Sequence, residues 1–262
     1  MGSKTVKREN FFRQHPTCCF CGGTRPAEEI DHVPSRVLFK NRAWPEGFEF
    51  PACSKCNRES ALDEQVIALL ALVNAEKFDS TLDDEFKRRL QALANNLPAI
   101  FNELKPTTSQ LREASRKYGI KPAHGQTYRD LPLLSVKGPL VSGAVQSFGR
   151  KLGCALFYKH THCVAPTKTP IAVRWYSNLQ INNEEIPRAL SEILPNIPTL
   201  KRAGTSLDDQ FFYRWGVSDT QMMGVFLAFF RQSFAMLIFV NASEREPTDL
   251  PVSEIVYPYE WP

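Results

Sequence analysis

The sequence lacks any long apolar run. The nearest candidate, residues 222–230, stops at Arg231 and resumes only at residues 233–240. A helix needs about 20 apolar residues to cross a bilayer, so we expect no membrane span. Residues 1–10 are polar and lack the apolar stretch of a signal peptide. We therefore expect a cytoplasmic protein, whose cysteines are held in a reducing environment.

The sequence also lacks a strong excess of one charge. Lys and Arg number 32 against 28 Asp and Glu, for a formal net charge of +4. This mild basicity permits a polyanionic partner but does not indicate one. The 262 residues are 43% hydrophobic, which excludes a largely disordered chain and is enough for one large domain or two ordinary ones.

Four of the seven cysteines form two C-x-x-C pairs, Cys18 with Cys21 and Cys53 with Cys56. Each pair can aim two sulfurs at one ion, and four thiolates complete the tetrahedral shell of zinc. The alternative is four unrelated buried cysteines, and matched pairs favour zinc over it. A four-sulfur site leaves no open coordination position, so we expect a structural zinc ion that stabilises the fold without catalysing a reaction.

Two catalytic candidates lie between the cysteine pairs, and a third follows the second pair. Asp31 and His32 are adjacent in an expected strand, and Asn57 follows Cys56 directly. Neighbouring strand residues point to opposite faces, so Asp31 and His32 can share a target only at a twist or strand end. Oxygen ligands from Asp31 and Asn57 would suit Mg²⁺ or Mn²⁺, while His32 Nε2 takes a proton from the attacking water.

Residues 18–21, 31–35 and 51–57 together resemble the zinc-bearing HNH, or His-metal finger, endonucleases. They are similar in particular to the branch typified by phage recombination endonuclease VII, over about a quarter of the chain. The resemblance implies a ββα-metal core with His32 as general base and with Asp31 and Asn57 as ligands of the catalytic divalent ion. It also implies that the four paired cysteines bind structural zinc.

Two positions depart from the family pattern. Many members carry an Asn shortly before the second cysteine pair, whereas residues 46–51 contain none and Asn41 lies earlier. Members also often have Lys or Arg three residues after the Asn, where this chain has Ser60. Glu64, seven residues after Asn57, would share its helical face and could support the site, although a solvated helix surface is the preferred reading.

Basic residues surround the candidate site. A role in phosphate contact is a hypothesis for those before the first cysteine pair and those after His32, namely Lys4, Lys7, Arg8, Arg13, Arg36, Lys40 and Arg42. Residues 159–163, Lys-His-Thr-His-Cys, could form a second metal site, but we expect a coincidence of spacing there.

The chain as a whole predicts an α+β protein. We expect a zinc-stapled HNH module over residues 1–78, a helical connector over 79–125 and a mixed α+β domain over 126–262. Helices are expected from Asn57 or Arg58 into the mid-seventies and over 81–96, 98–105, 108–118, 138–158 and 184–194. Strands are expected over 27–33, 131–136, 171–176, 211–217, 224–230 and 234–240, with a hairpin turn at 231–232 and irregular chain over 246–262.

The leading functional prediction is a metal-dependent endonuclease that hydrolyses phosphodiester bonds, with DNA as the default substrate and phage defence or restriction as context. The C-terminal region would then serve specificity, sensing or oligomerisation, through a homodimer or a partner protein. A non-catalytic zinc module that binds nucleic acid or a protein is the main alternative. A third reading places the activity in the C-terminal region, which contains no recognisable nucleophile-base or phosphate-loop motif.

Overall fold

The computed structural model describes residues 3–73, 80–243 and 254–261, with side chains from residue 5 in the first range and from residue 84 in the second. The side chains of Lys4 and of the expected helix start at 81–83 thus lie outside the described part. Within the described ranges, no helix combines the length and the apolar character required to cross a bilayer.

Most of the described helices precede the strands of the large sheet in the sequence. They are α1 (Ser3–Gln14), α2 (Ser54–Glu59), α3 (Ala61–Leu70), α4 (Ser80–Asn96), α5 (Ile100–Leu104), α6 (Thr108–Tyr118), α7 (Pro139–Thr161), α8 (Asn178–Asn182) and α9 (Ala189–Ile193). The strands are β1 (Glu29–His32), β2 (Glu49–Ala52), β3 (Ile171–Ser177), β4 (Lys201–Arg202), β5 (Thr205–Ser206), β6 (Phe211–Val217), β7 (Met223–Phe230), β8 (Phe234–Asn241) and β9 (Glu254–Val256).

The strands form three antiparallel sheets. The large one has the order β6-β7-β8-β3-β9, and β1-β2 and β4-β5 form two-stranded ribbons. In the β1-β2 ribbon, Asp31 lies opposite Phe50 and His32 lies opposite Glu49. The chain passes from β2 through Cys53 directly into α2, so the N-terminal region has a ββα order.

Helix α7 connects the N-terminal region to the large sheet. It contacts α3 on one side and strands β3 and β8 on the other. The approach to the sheet is close, because a Cβ atom at Gly149 would lie 2.6 Å from Val173 Cγ1 and one at Gly153 would lie 2.9 Å from Ile238 Cγ2. One contiguous cluster of buried side chains therefore extends from the cysteine pairs across α7 to the sheet.

Most of the expected elements are confirmed, including β3, β6, α6, α7 and the β7-β8 hairpin with its turn at Arg231. The strand expected at residues 131–136 is wrong. This segment is a loop whose Ser135 N–H donates to the Leu104 carbonyl, and Pro132 cannot donate to a strand ladder. Irregular chain is also wrong for residues 254–256, because β9 pairs with β3.

Two further expectations need correction. The helix expected to begin near Asn57 begins at Ser54 and continues as α3 after a break at Ser60. The helix expected over residues 184–194 is confined to the short α9, preceded by α8. The mixed α+β class is confirmed, whereas the division at residues 78 and 125 stays a prediction.

Candidate functional site

The two cysteine pairs meet at one point. All four side chains are buried, and their Sγ atoms lie within 4.8 Å of one another. The backbone N–H groups of Phe20 and Cys56 point at Cys18 Sγ and Cys53 Sγ, each at 3.4 Å. Such N–H groups stabilise thiolates, as a zinc knuckle requires.

The four sulfurs fit a zinc ion. Zn–S bonds of about 2.3 Å in a tetrahedron separate the sulfurs by about 3.8 Å, so only a small contraction of the observed cluster is needed. A bound zinc ion would link the loop before β1 to the start of α2. It would thereby fix the first cysteine loop against the helix that carries Asn57.

The segment after β9 covers this cysteine cluster. Trp261 Nε1–H donates to Cys56 Sγ at 3.1 Å, and the Tyr259 N–H donates to the Phe20 carbonyl at 2.9 Å. The Trp261 ring stacks on Tyr259 with centroids 5.2 Å apart, and the ammonium of Lys55 lies 4.2 Å from the Trp261 ring centroid. An indole N–H on a zinc-binding sulfur orients the ligand and offsets its negative charge.

Asp31 is occupied by a buried ion pair. Lys151 Nζ, from α7, lies 2.6 Å from Asp31 Oδ2 and 2.7 Å from Glu64 Oε1, and it donates to Ser60 Oγ at 2.6 Å. The Lys151 side chain is 1% exposed and that of Asp31 is 9% exposed. Burial alone would lower the pKa of Lys151, but the two carboxylates outweigh it and raise that pKa. The ammonium is therefore charged at neutral pH.

The second oxygen of Asp31 is also engaged. Asp31 Oδ1 accepts the backbone N–H of His32 at 2.8 Å. Glu64, for its part, is not a solvated helix-surface residue, because its side chain is only 12% exposed. Asp31, Glu64, Ser60 and Lys151 thus form one buried polar cluster beneath β1.

His32 lies on the other face of β1, half-buried. Its ring packs edge-on against Trp44 with centroids 4.5 Å apart. Guanidinium groups lie over the same indole, Arg202 at 3.8 Å and Arg36 at 5.0 Å from the ring centroid. Burial, and then the Arg36 charge, lower the pKa of His32, while Glu49 acts in the opposite direction. The imidazole is consequently neutral and able to accept a proton near pH 7.

Asn57 lies on α2 and faces β1. Its Nδ2–H donates to Glu29 Oε2 at 2.5 Å, and Arg58 lies 3.8 Å from the other oxygen of Glu29. Glu29 and Asp31 share a face of β1 because they are two residues apart in the strand. The zinc cluster and the β1-α2 packing therefore place Asn57 beneath β1, on the side away from His32.

This arrangement does not fit a divalent ion on Asp31 and Asn57. The Asp31 oxygens are taken by an ammonium group and a backbone N–H, and the Asn57 amide is turned to a carboxylate. An ion at this place would compete with Lys151 for the same buried oxygens. Mg²⁺ or Mn²⁺ at these two residues stays a prediction that requires Lys151 to withdraw.

A cleft of about 630 Å³ adjoins the His32 face of the ribbon. Its basic side chains come from two helices: Lys7 and Arg8 of α1 with His15 just after it, and Lys159 of α7 with His162 just after it. The ribbon side is lined by Ile30, Glu49 and Phe50. Lys159 Nζ donates to the Gly47 carbonyl at 2.8 Å, which ties α7 to the turn before β2. The cleft thus presents positive charge next to the strand partner of His32.

Of the three basic residues expected to contact phosphate after His32, only Arg36 lies beside it. Arg36 faces Trp44 beside His32, whereas Lys40 and Arg42 are exposed in the following turn. In the 159–163 segment, His160 stacks on Trp215 at 3.8 Å between centroids and its Nε2 lies 2.9 Å from the Tyr213 hydroxyl. His160 therefore belongs to the packing of the sheet.

Sequence reasoning missed Lys151, Arg202 and Trp261. Lys151 follows Arg150 in the otherwise apolar stretch 148–157, and this gave a signal, since an apolar helix rarely buries an ammonium without carboxylate partners. Arg202 and Trp261 gave no such signal, because both come from segments distant in sequence. No protein-family model, curated protein or solved structure matches this chain.

Proposed function

We propose that the protein is an HNH-type endonuclease that hydrolyses phosphodiester bonds in nucleic acid, with DNA as the substrate. The observation that carries the proposal is the ββα unit closed by four cysteines, with a neutral His32 at the end of β1. The resemblance of residues 18–21, 31–35 and 51–57 to the zinc-bearing HNH endonucleases supports the same assignment.

The surroundings of His32 suit attack of water on a phosphodiester. The water oxygen would bond to phosphorus as a bridging P–O ester bond breaks; His32 would take the proton of the water, and the leaving alkoxide would take a proton from solvent. A well-placed general base contributes about 10²- to 10⁴-fold to such a rate. The guanidinium groups of Arg36 and Arg202 would offset charge that develops on the phosphoryl oxygens. The basic cleft beside the ribbon would hold the flanking phosphates.

The zinc ion, when bound, supplies structure alone. The buried cysteine sulfurs offer it no open coordination position, so it cannot activate water. Its consequence for catalysis is positional, because it fixes the start of α2 and the loop before β1 against each other. Catalytic Mg²⁺ or Mn²⁺ belongs to the proposal only if Lys151 releases Asp31.

The second candidate function is a non-catalytic zinc module that binds nucleic acid. The occupied carboxylate of Asp31 favours it, because the family resemblance assigns this residue to the catalytic ion. The two candidates share the basic cleft and differ in the role of His32. Phage defence as a context, and a homodimer or partner protein at the C-terminal region, stay predictions.

Cleavage assays separate the two candidates. Zinc-loaded wild type, His32→Ala and His124→Ala are incubated with supercoiled plasmid, linear duplex, single-stranded DNA and RNA in Mg²⁺ buffer. His124 is an exposed loop residue and serves as the matched histidine control. An endonuclease cuts at least one substrate as wild type and as His124→Ala, and loses about 10²-fold or more as His32→Ala. Binding without cleavage in all three would instead establish the zinc module.

A further inference from the structure

We propose that the Lys151 ammonium is the resident cation of the ββα unit, held by Asp31 and Glu64 in the place where a divalent ion would bind. The inference rests on the proposed function only for the role assigned to Asp31. It adds a positioning residue, supplied by α7, that neither the HNH resemblance nor the sequence pattern contains.

The contacts of Lys151 match those of a small bound cation. Three oxygens lie at 2.6–2.7 Å from Nζ, two of them carboxylate and one hydroxyl. Ser60 links the ammonium to Glu64, because its hydroxyl accepts from Lys151 Nζ and donates to Glu64 Oε1 at 2.8 Å. Two of the three ammonium donors form hydrogen bonds, to Glu64 Oε1 and Ser60 Oγ, and Asp31 Oδ2 lies against the ammonium as an ion pair at 2.6 Å.

The position of Ser60 makes room for this cation. Ser60 stands three residues after Asn57, where the resemblance to the HNH endonucleases implies Lys or Arg. Here the small Ser60 side chain is fully buried and the positive charge arrives from α7 instead. The charge requirement of the buried carboxylates is therefore met from the C-terminal part of the chain.

Lys151 also acts on His32 through Asp31. With Oδ2 fixed by the ammonium, Oδ1 is aimed at the His32 backbone N–H at 2.8 Å. This bond sets the end of β1, where the chain turns out of the ribbon and the imidazole reaches Trp44. Loss of the ammonium would free Asp31 to rotate, and His32 would lose its backbone anchor.

Manganese binding tests the proposal without reference to cleavage. Zinc-loaded wild type, Asp31→Asn, Lys151→Ala and the double variant are titrated with Mn²⁺, and bound ion is counted by calorimetry and by loss of the free Mn²⁺ EPR signal. We expect wild type and Asp31→Asn to bind the same number of Mn²⁺ ions. We expect Lys151→Ala to gain one ion per chain, which the double variant loses.

Lys159→Ala is the matched control, because Lys159 lies on the same helix and bonds a backbone carbonyl rather than a carboxylate pair. It should gain no ion. Zinc content and circular dichroism identify a variant that fails to fold. If Lys151→Ala fails to fold, the Mn²⁺ counts of wild type and Asp31→Asn decide the proposal by themselves.

Two results would overturn the proposal. One is a Mn²⁺ ion on wild type that Asp31→Asn lacks, which would mean that a metal displaces the ammonium. The other is a folded, zinc-loaded Lys151→Ala that gains no ion. Failure of the endonuclease assignment would appear separately, as absent cleavage with the Mn²⁺ pattern unchanged.

Discussion

Replacing Lys151 with Met should strongly destabilise the protein. The substitution keeps an unbranched side chain one heavy atom shorter and removes a charge whose contacts with Asp31 and Glu64 are 2.6 and 2.7 Å. Both carboxylates would remain buried without a cation, and breaking a buried ion pair in this way costs about 3–5 kcal/mol. A urea m-value of about 2–3 kcal/mol/M is typical of a chain of this size, so the unfolding midpoint should fall by about 1–2.5 M.

Urea titration of zinc-loaded protein, followed by tryptophan fluorescence, measures this shift. Lys137→Met is the matched control, because the Lys137 side chain is 72% exposed and its carboxylate partner Glu113 lies 3.8 Å away. Such a surface pair contributes about 0–1 kcal/mol. Combining Lys151→Met with Asp31→Asn and Glu64→Gln should recover most of the loss, since no charge is then left buried. Equal midpoints for Lys151→Met and Lys137→Met would refute the buried cluster.

Three further predictions concern the zinc cover and two histidines. Trp261→Phe removes the N–H donor to Cys56 Sγ, so the rate of zinc transfer to a chromogenic chelator should rise about 10-fold. Trp175→Phe should release zinc at the wild-type rate. His160 has its pKa lowered to about 4 by burial, so it binds a proton more readily unfolded than folded, and stability should fall by about 1–2 kcal/mol between pH 6.5 and 4. His160→Gln should flatten this acid dependence in thermal unfolding, and an unchanged slope would exclude His160 as its source. Because burial and the neighbouring arginines lower the pKa of His32, cleavage should persist below pH 6.5, and Arg202→Gln should move the acid limb to higher pH; a limb that stays in place would argue against this environment.

Local patterns predicted much of the fold. Apolar runs of strand length on both sides of Arg231 indicated the β7-β8 hairpin, and the stripe of Leu62, Val66 and Leu69 indicated α3. The run 131–136 is as apolar as a strand, but it is a loop that contains Pro132, and its Ser135 hydroxyl accepts a hydrogen bond from Gln110 of α6. Strand β9 was missed because three residues beside a proline-rich segment give no alternation to read.

The candidate site divides in the same way. Two C-x-x-C pairs are a local pattern, and their spacing alone predicted a cysteine cluster that can hold a metal. The structure confirms that cluster. The state of Asp31 depends on Lys151, which lies 120 positions along the chain and reaches it only because α7 packs against α3. The residues around Asp31 and His32 carry no information about where α7 packs. The sequence therefore could not show that Asp31, the expected metal ligand, forms an ion pair with Lys151.

The rate of plasmid nicking by zinc-loaded wild type, compared with His32→Ala in the same buffer, tests the central claim most directly. We expect wild type to nick supercoiled DNA and His32→Ala to be slower by about 10²- to 10⁴-fold with its zinc content intact. Equal rates for the two proteins, or no cleavage by wild type that still binds the DNA, would contradict an endonuclease built on His32.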